Sequence, residues 1–238
     1  MSLVNVNKIA PSTGTTVTLG DASDVFQLPA SAEIDIASGA TLDVNGTIDA
    51  TGATITGFPE GGLKLITSQT NNSAVAAWNF GDCFSATYYV YFVTVSHLMN
   101  ASSSQETRLQ IGVSNLSSLE SFGYSQTEFN ANGSTYTRTS SSATYIDLNN
   151  TCGSGEPGSA SFWIYNPFSS VKQTSVVGLS IYYHTGVGGN SWGNARFGGM
   201  ATSAASSPSM QLMASSGNLG SATTGMVARV SIYGLAES

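Results

Sequence analysis

The sequence predicts an all-β protein in two parts. An intertwined β-stem of the β-prism or triple-β-helix kind spans residues 1–60. An antiparallel jelly-roll β-sandwich head spans residues 61–238. Three observations predict this. Residues 34–58 repeat a short ribbon of alternating apolar and small polar residues, broken by Gly39, Gly46, Gly52 and Gly57. The rest of the chain is a series of β-branched and aromatic runs between Gly, Asn and Ser turns, with no sustained helical period. Finally, charged residues are only 9% of the chain, against roughly 25% in ordinary soluble proteins, while 41% is hydrophobic.

The N-terminal residues read as extended, with Val4/Val6 and Val17/Leu19 around Pro11 and Gly14. In the ribbon, Ile34/Ile36 is answered by Leu42/Val44, then by Ile48 and Ile55. One copy of such a ribbon has a single narrow apolar face and cannot bury it alone. Repetition against neighbours solves this, and with so few repeats the neighbours are other copies of the chain. Phe58-Pro-Glu-Gly-Gly62 ends the stem.

The head opens with a short strand at Leu63–Thr67, then a strand or turn-rich connector at Val75–Phe80. Thr87–Ser96 is the strongest strand, apolar enough to lie in the middle of a sheet. Arg108–Val113 alternates cleanly, and Phe122–Phe129 is a weaker strand. Thr135–Thr139 and Thr144–Leu148 read as edge strands. Ser159–Tyr165 is a strand stopped by Asn166-Pro167, and Ser175–Tyr183 is another long one. Residues 186–199 read as a Gly/Asn-rich loop carrying Trp192 and Arg196. Met210–Met213 and Gly225–Gly234 close the head. Eight or so strands with irregular turns make a jelly roll the expected sandwich.

Charge narrows the function. Residues 1–60 hold seven acids against Lys8, whereas the head holds seven acids and six bases. Nothing gathers phosphates, so neither nucleic acid nor an anionic membrane is an expected partner. No apolar run approaches the length of a membrane span, and the first residues lack the apolar core of a signal peptide. Cys83 and Cys152 form no zinc motif, and their spacing leaves open whether they pair.

The stem motif Ser-Gly-Ala-Thr-Leu-Asp-Val-Asn-Gly-Thr-Ile, ending in Ala-Thr-Gly-Ala-Thr-Ile-Thr-Gly-Phe, resembles the stems of tail-fibre-like structural proteins of marine tailed bacteriophages. Ile164-Tyr165-Asn166-Pro167, Ser215-Ser216-Gly217-Asn218 and Tyr233-Gly234-Leu235 resemble elements of their head domains. The resemblance covers the stem and the last third, and fits the middle poorly. It implies a homotrimeric virion appendage with a head like those of the tumour-necrosis-factor and C1q class. It also implies contacts to other virion proteins through the N-terminal region, and synthesis in the host cytoplasm without a signal peptide. No catalytic residues come with it.

A search for chemistry finds little. The head acids form no recognisable carboxylate pair; Asp82 and Asp147 alone lie beside strong strands and read as turn caps or solvated edges. There is no Gly-x-Ser-x-Gly elbow and no phosphate loop. The expectation is therefore no catalytic residue, no cofactor and no metal. His97 and His184 each end a strand, where a hydrogen bond is the ordinary role. Trp192, among Asn190, Asn194 and small residues, can offer a stacking face to a glycan, with His184 at the start of the same loop. The plainer alternative is that Trp192 pins the loop to the core. Three functions compete: a non-enzymatic virion appendage that recognises a host glycan or protein, a secreted carbohydrate-binding adhesin module, and a glycan-degrading fibre. Too few acids argue against the last.

Overall fold

The structure is a computed structural model. It describes residues 62–98, 100–101, 105–131, 133–149, 158–184, 191–220 and 227–236. Chain contacts divide into two units at Thr56/Gly57, and every described residue belongs to the second. The expected stem, residues 1–60, lies outside the described residues, as do Cys152 and Asn190.

The described residues are all-β, with antiparallel pairing throughout. Twelve strands occur in chain order: β1 Gly62–Asn71, β2 Ala77–Phe80, β3 Val90–Leu98, β4 Thr107–Gly112, β5 Phe122–Asn130 and β6 Thr135–Ala143. They continue as β7 Ile146–Asp147, β8 Gly158–Tyr165, β9 Ser175–His184, β10 Ser191–Ala201, β11 Ser209–Ala214 and β12 Ala228–Ala236. They form a large sheet, ordered β1-β12-β3-β8-β9-β10-β5-β6, and a small sheet, ordered β2-β11-β4-β7. Eight strands pair in nested fashion: β1 with β12, β2 with β11, β3 with β8 and β4 with β7. The other four, β5, β6, β9 and β10, form two hairpins that join along β10–β5 and lengthen the large sheet.

The core lies between the sheets. Period-two alternation puts Tyr91, Val93 and Val95 of β3 inward, with Phe162 and Ile164 of β8 and Val230 and Ile232 of β12. They meet Phe80, Leu109, Ile111, Met210 and Leu212 from the small sheet. Burying each such side chain stabilises by about 1.5–3 kcal/mol. Tyr91 also satisfies its polar tip: its hydroxyl donates to the Ser85 carbonyl at 3.0 Å and accepts the Ser85 N–H at 2.7 Å. The Phe84 ring stands edge-on to it, centroids 4.7 Å apart. Cys83 is a free thiol in this core, and burial pushes its pKa up to about 12.

The predicted strands mostly recur, and residues 191–199 of the expected loop are the correction; residues 186–190 lie outside the described residues. Residues 191–201 are strand β10, paired on both sides. Gly193, Ala195 and Phe197 point inward, while Trp192, Asn194 and Arg196 point outward. Within β10, Gly193 and Gly199 serve close packing. A Cβ on Gly199 would come 2.9 Å from the Tyr124 side chain.

Candidate functional site

The outer face of the large sheet is where apolar side chains meet solvent. β9 is apolar on both parities, and only one parity is buried. Val176 and Tyr182 face inward, whereas Val177, Leu179 and Ile181 are 49%, 55% and 59% exposed. Register aligns Phe92 of β3, Trp163 of β8, Val177 of β9 and Gly198 of β10 in one row across the sheet. The Phe92 and Trp163 rings sit 4.6 Å apart, and Tyr233 of β12 continues the aromatic line at 6.4 Å from Phe92. The missing side chain at Gly198 leaves a hollow of about 520 Å³ between Trp163 and Val177 on one side and Ser125 and Thr127 on the other. At outward positions of β3, β8, β9 and β10 in the described residues, Arg196 carries the only charge.

The apolar line down β9 ends at Trp192. This ring is 58% exposed and edge-on to Tyr183, centroids 5.3 Å apart. It is therefore no core pin. Asn194 lies two residues on and on the same face, its side-chain amide donating to the Phe129 carbonyl at 3.5 Å. Trp192, Asn194, Phe129 and Ile181 border a second hollow of about 240 Å³. Two of the four sequence-selected residues thus come together. His184 ends β9 opposite Ser191, and its side chain lies outside what the structure describes. Sequence reasoning missed the larger outer face. Its signal was present in β9, where apolar residues occupy both parities of a strand that, among the described residues, has no second covering layer.

Asp147 departs from the expectation of a turn cap or solvated edge. Asp147 is buried. It accepts from Arg108 Nε at 3.1 Å and from the Tyr124 hydroxyl at 2.6 Å. Arg138 Nη1 lies 2.9 Å from Glu106 Oε1 and 3.5 Å from Asp147 Oδ2. The Arg108 guanidinium also stacks 4.0 Å over the Tyr145 ring. Burial alone would raise the Glu106 pKa, but hydrogen bonds from Ser215 and Arg138 outweigh it and leave it low. Burial and the hydrogen bond to Asp147 push the Tyr124 phenol well up. Two acids matched by two guanidiniums tie β4 and β7 to β6; they do not leave a free acid beside a free base. Asp82, by contrast, is a turn residue with φ 48°, its N–H bonded to Ser209 Oγ at 2.9 Å. Among the described residues, no three His, Cys, Asp or Glu side chains converge on a point.

No protein-family model, curated protein or solved structure matches the chain.

Proposed function

We propose that the chain is a non-enzymatic, homotrimeric structural protein of a phage virion appendage, a tail fibre or its equivalent. In this reading the head is a jelly roll of the tumour-necrosis-factor and C1q kind, and its rim contacts the host surface. The observation that carries the reading is the outer face of the large sheet. Exposed neighbours such as Val177, Leu179 and Ile181 form a patch of the kind that marks an interaction surface. The face is nearly uncharged, so a partner needs no complementary charge and an identical copy fits it.

The nested pairing of β1–β12, β2–β11, β3–β8 and β4–β7 supports the jelly-roll assignment, because two strands folded back on themselves and wrapped into a sandwich pair in that order. The virion assignment rests on the stem and C-terminal motifs of the sequence. The N-terminal region would join other virion proteins, and the protein would be made in the host cytoplasm. Val177 and Leu179 pack between copies, while Trp192, Tyr183 and Asn194 stay at the hairpin end for the host contact. Three-fold repetition raises the avidity of such a weak contact by about 10²–10⁴ when sites are within reach.

The test is Leu179→Glu, which places a carboxylate in the face without touching the core. Light scattering should show the variant lower in mass than the parent chain, with its β-sheet circular dichroism kept. A variant that holds the parent's mass removes this face from the assembly. Release of reducing sugar from host polysaccharide would overturn the non-enzymatic part.

A further inference from the structure

A second feature lies on the opposite, inward side of the sheet extension. β5 carries Gln126, Glu128 and Asn130 in succession on its inward side. Glu128 is only 1% exposed, and neither of its carboxylate oxygens has a hydrogen-bond partner. The Gln126 side-chain nitrogen and the Asn130 Oδ1 are also buried without a partner. A buried carboxylate with no donor and no cation is strongly disfavoured. The basic side chains nearby are committed elsewhere: Arg138 to Glu106 and Asp147, and Arg196 to the outer face.

Small residues of β10 lie opposite these groups. β10 sets Gly193 against Asn130 and Ala195 against Glu128, and β9 sets Tyr182 beside Gly193. A Cβ on Gly193 would come 3.0 Å from both Asn130 Oδ1 and the Tyr182 ring carbon that bears the hydroxyl. Glycine is therefore what lets the Asn130 oxygen and the Tyr182 ring approach each other. The Asn130 amide nitrogen reaches toward Ser134 Oγ at 3.4 Å, which turns Oδ1 inward. Turning over the Gln126 amide exchanges an orphaned donor for one more oxygen.

We propose that Glu128 and Asn130 bind a calcium ion in the β5–β10–β9 extension. The donors are hard oxygens, one of them a carboxylate able to bind through both atoms, which suits calcium over softer metals. A single carboxylate with neutral oxygens and waters gives an affinity at the weak end, a Kd of about 10⁻⁴–10⁻³ M. The ion compensates the Glu128 charge and clamps β5 to the β9–β10 hairpin.

The experiment uses the full chain, stripped with EDTA and titrated with calcium chloride, magnesium chloride or terbium chloride. Saturating calcium should raise Tm by about 2–5 °C, and magnesium by less. Terbium should give saturable luminescence on tyrosine excitation, displaced by calcium. Glu128→Gln should abolish both responses while folding without calcium. If Glu128→Gln does not fold, Asn130→Ala is read instead. It should weaken calcium by at least the ~10-fold that loss of a supporting partner costs. A wild-type Tm indifferent to EDTA and 10 mM calcium, or a variant with the full calcium response, would overturn the site.

Discussion

Gly178 shows how tightly single residues are set in this sandwich. An added Cβ would lie 2.6 Å from the Phe197 ring and against the Phe162 side chain. Gly178→Ala should therefore cost about 1–3 kcal/mol of stability, read as a lower Tm. Trp192→Ala contrasts with it. An exposed ring leaves no cavity, so Tm should stay nearly constant while adsorption to host cells weakens. The part-buried Glu106 and the buried Glu120 give opposite pH signatures. The Glu106 carboxyl is held below its ordinary value of 4.5, so its stabilisation is present above that pH and is lost as pH falls through the lower folded value. The stability gap between the parent chain and Glu106→Gln should therefore close below about pH 4.5. Burial raises the Glu120 carboxyl despite hydrogen bonds from Ser207 and Thr174. Its cost is absent below 4.5 and grows as pH rises through the folded value. Glu120→Gln should then gain on the parent chain with rising pH, as measured by denaturant melts across pH 3–7. None of this coupling was legible in the sequence, because Glu106, Asp147 and Arg138 are brought together only by sheet register.

At the scale of elements, strands with one clear apolar parity were legible. Arg108–Val113 and Ser159–Tyr165 recur as β4 and β8 within a residue or two. β10 was not, because its inward side is Gly193, Ala195 and Phe197 beside three further outward polar or aromatic residues, a pattern that local chemistry assigns to a loop. Its strand character comes from β9 and β5 on either side. Among the described residues, β6 is the exposed edge of the large sheet, paired only with β5. Arg138 ties it to β4 and β7 through Glu106 and Asp147. Arg138→Ala leaves Asp147 buried with one guanidinium fewer, and should cost about 1–2 kcal/mol after allowance for the part-exposed Arg138. Hydrogen exchange should rise first in β6. Unchanged exchange there would show that backbone pairing alone holds the edge.

At the scale of the whole molecule, the all-β class and the candidate Trp192–Asn194 pair followed from periodicity and composition. The apolar outer face did not, since exposure on a sheet depends on which layers cover it. Two separate grounds favour the proposed self-association: the apolar positions Ile34, Ile36, Leu42 and Val44 of the ribbon read from the sequence, and the open apolar face of the head. The most direct test is the solution mass of the intact 24.5 kDa chain by light scattering at micromolar concentration. A homotrimer gives three times the chain mass; a monomer at that concentration would contradict self-association, and a dimer would contradict the three-fold symmetry.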